Sequence, residues 1–107
     1  MDEAEKAVED YTAVLEINPD TVEALVGRGI ALAEADEDEK AVDDFHRAHE
    51  LSPKDADILA YRGFAHYHTN NNEKALADFK AALTLDPENA SALRGMGFLK
   101  EEGANDK

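Results

Sequence analysis

Four histidines, a run of carboxylates and two serines are the side chains in this 107-residue sequence whose types could do chemistry. His46 and His49 stand about one helical turn apart, a spacing that divalent metals use. A metal site needs a third ligand, however, and the other pair, His66 and His68, would point to different faces of a helix. His49 also takes a place that Leu15 and Leu83 fill elsewhere in the chain, which reads as half-buried packing. The acidic run "EADEDEK", Glu34 to Lys40, offers the oxygen ligands that calcium takes, but it lacks the glycine-centred spacing and trailing glutamate of an ion-binding loop. Asp36, Glu37 and Asp38 fit better as negative charges at the positive N-terminal end of the following helix. No serine has a histidine and an orienting acid beside it, and Ser52 and Ser91 read as caps at helix starts. With no cysteine there is no disulfide, thiolate site or cysteine nucleophile, and no glycine-rich phosphate loop appears. The expectation is a protein with no metal, no cofactor and no catalytic constellation.

Charge narrows the partners. The net charge of -14 repels phosphate backbones and anionic lipid, which argues against nucleic acid and membrane surfaces. The excess is uneven: up to Pro53 there are 16 acids and 4 bases, and beyond it 9 acids and 7 bases. A basic partner would be steered to the first half. No apolar run is long enough for a membrane span, and the acidic start "MDEAEKAVED" is no signal sequence, so a cytoplasmic location is expected.

The elements that would carry these residues follow from three prolines. Pro19, Pro53 and Pro87 are spaced by 34 residues, inside the similar stretches "EINPDTVEAL", "ELSPKDADIL" and "TLDPENASAL". Between them apolar residues recur three and four apart, with no strand-like alternation. Each proline is followed by a start signal, Asp20-Thr21, Asp55 or Asn89, and a second break falls at "EADED" and at "HTNNN". Six helices are predicted, near residues 3 to 17, 21 to 34, 37 to 51, 55 to 69, 72 to 85 and 89 to 102. Gly29, Gly63 and Gly97, with Ala7, Ala41 and Ala75, let paired backbones approach, and Tyr11, Phe45 and Phe79 fill the space between units.

These residues resemble the tetratricopeptide repeat, a 34-residue helix-turn-helix unit of pattern W-x2-L-G-x2-Y, A-x3-F, P. The glycine, the Ala-x3-aromatic and the proline recur in full. The tryptophan place holds Leu25, Leu59 and Leu93, the leucine place Arg28, Arg62 and Met96, and the tyrosine place Leu32, His66 and Lys100. The resemblance implies an all-α, right-handed superhelical stack of antiparallel helix pairs in a single domain over 1–107. Its phase gives a second helix alone (1–21), two full repeats (22–55 and 56–89), and a first helix alone with the polar tail "EEGANDK" as a stop (90–107).

The resemblance further implies a binding module, not an enzyme, whose concave face is lined by the first helix of each unit and holds a peptide or helix. Candidate groove residues are Glu23, Val26, Ile30 and Ala33, then Asp57, Tyr61, Phe64 and Tyr67, then Arg94 and Phe98. Val26, Ile30, Tyr61, Phe64 and Phe98 would form an apolar stripe suited to a partner with apolar anchors and some basic character. The competing reading makes Ile30, Phe64 and Phe98 ordinary inter-helix packing. One branch of the family clamps acidic chaperone tails with groove Lys, Arg and Asn; Val26, Ile30, Asp57, Tyr61 and Phe64 stand in those places, so the clamp is missing. An alternative function is a homo-oligomer assembled through the lone end helices, with Ala4, Val8 and Tyr11 at one end and Leu93, Met96 and Phe98 at the other.

Overall fold

The computed structural model describes residues 2–105, and side chains from Asp2 to Glu101. Six α-helices follow one another: α1 (Glu3–Ile17), α2 (Val22–Glu34), α3 (Asp38–Leu51), α4 (Ala56–His68), α5 (Asn72–Leu85) and α6 (Ala90–Asn105). Among the described residues there is no strand. The chain forms two compact units that divide at Pro53. In the first, α2 packs against both α1 and α3; in the second, α4, α5 and α6 pack against one another.

Three helices start where a side chain meets a free backbone amide. Asp2 accepts from the Glu5 N–H, Asp55 from the Asp57 N–H and Asn89 from the Ala92 N–H. Thr21 departs from the expected cap. Its hydroxyl donates back to the Asn18 carbonyl, while the Asn18 side chain accepts from the Asp20 N–H, so the first proline joint is closed by a local turn. Ser52 also departs, since it ends α3 rather than starting α4. The final helix runs past the expected stop to Asn105, because "EEGA" contains neither a proline nor a left-handed residue to end it. Asp106 and Lys107, the end of that tail, lie outside the described residues.

The two inner breaks share one device. Asp36 and Asn70, 34 residues apart, have φ of 63° and 64°. Around Asp36, the Glu37 N–H reaches the Leu32 carbonyl and the Asp36 N–H the Ala33 carbonyl; Asn71 and Asn70 repeat this on His66 and Tyr67. This is a left-handed helix terminus that satisfies the last carbonyls. The acidic run is therefore divided: Asp36 closes α2, while Glu37, Asp38 and Glu39 stand at the start of α3.

Size alternation builds the core. Phe79 is fully buried between Gly63 of α4 and Gly95 of α6, and a Cβ at either glycine would enter its ring. Phe45 lies on Gly29 and Tyr11 on Gly27 in the same manner. Ala41, Ala48, Ala75 and Ala82 are fully buried and let the helices close on these rings. Gly97 differs from the expectation: nothing lies within 4 Å of the Cβ it lacks. Gly29 and Gly63 meet an aromatic sixteen residues later, and the matching place after Gly97 falls past residue 107.

Candidate functional site

The second unit brings four of the candidate groove residues into one cluster. Residues 57, 61, 64 and 67 are spaced by four, three and three, so α4 carries them on one face, and α6 adds Arg94 and Phe98. Phe64 meets Phe79 edge-on, with ring centroids 5.0 Å apart, and meets Phe98 edge-on at 6.2 Å. Tyr67 stacks on Phe98 at 6.0 Å with 24° between the planes. The Arg94 guanidinium lies 5.6 Å from the centroid of the Phe64 ring, within cation–π range. Phe64 is thus half core and half surface, whereas Phe98 keeps 40% of its surface exposed. Phe64 therefore packs between helices, as the competing reading has it, and its ring also meets Phe98 on the aromatic face.

At one edge of this face, the Asp57 carboxylate accepts from the Asn89 side-chain amide at 2.7 Å. Asn89 is itself buried and caps α6, so a negative group is fixed where α4 and α6 begin. Tyr61 is half-buried on α4. In the first unit, Val26 is half-buried and Ile30 exposed on α2, with Glu23 exposed at its start and Ala33 half-buried.

A second polar arrangement escaped the sequence reading. Arg28 grips Asp44 with two hydrogen bonds of 2.8 Å, and Arg62 grips Asp78 in the same geometry. These planar, two-pronged pairs tie α2 to α3 and α4 to α5. Both carboxylates are buried, and the bonds raise the arginine pKa values against the opposing effect of burial. Their signal was present in the sequence: an Arg and an Asp sixteen residues apart, repeated after 34.

His66 completes the second of these pairs, with its Nε2 3.8 Å from Asp78 Oδ2. Burial lowers its pKa; Asp78 opposes this, and Arg62 and Lys74 add to it. His68 is exposed and His49 half-buried, as their faces implied, and the His49 Nδ1 has no hydrogen-bond partner. A cleft of about 380 Å³ in the first unit is lined by Val8, Thr12, Arg28, Lys40 and Asp44 among others. Its Arg28 is already committed to Asp44 and Thr12. Among the described residues no three His, Asp or Glu side chains are grouped to hold a metal, and no helix is long and apolar enough to cross a membrane.

Comparison with known proteins agrees with this architecture. Two tetratricopeptide repeat family models match, one over residues 2–56 and one over residues 56–89. The chain belongs to the tetratricopeptide repeat family. Among solved structures, a TPR domain of Arabidopsis OM64 is 27% identical with a TM-score of 0.88, over 94% of this chain and 83% of that one. The second TPR domain of human RPAP3, solved in complex with the HSP70 peptide SGPTIEEVD, is 26% identical with a TM-score of 0.86, over 92% and 82%. The Sgt2 TPR domain from Aspergillus fumigatus is 25% identical with a TM-score of 0.88, over 98% and 72%. A comparison with curated protein sequences gives no significant match.

Proposed function

We propose that this protein is an interaction module that holds a peptide or helix of a partner protein against the aromatic face of α4 and α6. The observation that carries the reading is the Phe64, Tyr67 and Phe98 cluster, in which the Phe98 ring meets both of the others and still keeps 40% of its surface exposed. Half-exposed rings on a fixed scaffold offer apolar anchoring at little entropic cost. The similar human RPAP3 domain, which holds a chaperone peptide, supports a peptide as the class of ligand. Within the same unit, Asp57 and Tyr61 of α4 extend the proposed groove beyond the cluster.

The partner's chemistry follows from charge. A net charge of -14 and a fixed Asp57 beside the face disfavour a carboxylate-rich tail and favour apolar anchors flanked by Lys or Arg. No part of the reading needs catalysis. Fluorescence anisotropy with two labelled peptides tests it: an amphipathic basic helix, and the acidic SGPTIEEVD. The basic peptide is expected to bind more tightly, to weaken with salt, and to lose about tenfold in affinity on Phe98→Ala with Tyr67→Ala. Equal or tighter binding of the acidic peptide, or indifference to the double substitution, would remove the proposal.

A further inference from the structure

Phe79 shows what a complete seat requires: a glycine on the helix before it, Gly63, and another on the helix after it, Gly95. Shifted by 34 and 68 residues, the same positions give two half-seats at opposite ends of the chain. Tyr11 of α1 has its following glycine, Gly27, but no helix precedes it among the described residues; Gly97 of α6 is the preceding glycine, with no ring upon it. Exposure follows the same division. Leu93 is 51% exposed, whereas its counterparts Leu25 and Leu59 are 4% exposed; Val14 is 43% exposed, whereas Ala48 and Ala82 are fully buried.

We propose that α6 of one copy and α1 of a second copy dock as an intermolecular helix pair, with Tyr11 seated on Gly97 and Lys100 paired with Asp10. The charges choose this occupant. Asp10 matches Asp44 and Asp78, the two buried acids that clasp an arginine, yet it is itself exposed. On α6 the arginine place holds Met96, so the clasp cannot be repeated there. Lys100, one turn on, holds the place of His66, whose imidazole stands 3.8 Å from Asp78. A lysine there reaches the acid that the arginine would have reached, so the cation lost at position 96 is supplied at position 100. Leu93 and Val14 would be covered by the same contact. The contact is head-to-tail, with different surfaces on the two copies, so each added copy presents a new free end.

Light scattering on the 107-residue chain across a concentration series, at about 0.15 M salt to screen the repulsion between like-charged copies, tests the proposal. The weight-average mass should climb above 11.7 kDa as concentration rises. Gly97→Gln, which fills the seat without touching the core of its own chain, should raise the concentration needed by about tenfold or more. Lys100→Glu and Asp10→Lys should each do the same alone, and association should return when the two variants are mixed. Circular dichroism of each variant confirms that the helices are intact. A mass fixed at 11.7 kDa throughout would mean that another occupant, such as a partner's helix, fills the seat, and would overturn the proposal. So would association that rises unchanged in all three variants, which would place the contact on another surface.

Discussion

A Cβ at Gly63 or Gly95 would enter the ring of Phe79, whereas one at Gly97 would meet open space. Gly63→Ala and Gly95→Ala are therefore expected to lower stability by about 1–3 kcal/mol through overpacking. Gly97→Ala should raise it by about 0.5–1 kcal/mol through helix propensity. Urea denaturation of the three variants in dilute solution checks the contrast, and equal effects at all three would contradict the assigned packing. His66 gives a second residue-scale expectation. Its pKa in the folded chain lies below the ordinary histidine value of about 6.5. The unfolded chain therefore binds the proton more readily. Stability from this group is full above the ordinary value and is lost as pH falls through the depressed one, where an imidazolium would join Arg62 and Lys74 around Asp78. Thermal melts from pH 7.5 down to 5 should show this loss, and His66→Leu, which installs the residue found at Leu32, should flatten the slope between those limits.

At the scale of elements, the repeat was legible because proline, glycine and aromatic size recur together. Helix bounds followed to within a residue, except at α6, because proline joints and polar breaks leave few other places to stop. The arginine clasps were not legible, for a physical reason. Arg28 and Arg62 read as departures at an apolar place, and their partners lay among 25 acidic side chains, most of them ordinary surface charge. Only the folded chain separates Asp44 and Asp78, which it buries, from the rest. Asp78→Ala should accordingly cost more than a surface substitution. It leaves Arg62, with its side chain 17% exposed, without its acceptor, a loss of about 2–4 kcal/mol after allowance for that partial exposure. Replacing both partners, Arg62→Met with Asp78→Leu, should recover most of it, since no charge is then stranded. If the double variant melts no higher than the single one, the penalty lies elsewhere.

For the whole molecule, the aromatic face was legible as a set of residue types at helical spacing, but its internal organisation was not. Sequence placed Phe64 and Phe98 on one stripe; it did not reveal that Phe64 rests on Phe79, that Tyr67 stacks on Phe98, or that Arg94 covers Phe64. Those relations depend on how far α6 slides along α4, which no periodicity reports. They also determine which substitutions test function cleanly. Phe64→Ala removes a core contact together with any binding contact, and Tyr67 also packs against the buried cluster, whereas Phe98 is 40% exposed. The central claim, that the α4 and α6 face receives the partner, is tested most directly by backbone NMR of the labelled chain titrated with the basic amphipathic peptide. The account predicts saturable shifts at Phe64, Tyr67, Arg94 and Phe98, with smaller ones at Asp57 and Tyr61. Shifts confined to α1, α3 and α5, or no shift at millimolar peptide, would contradict it.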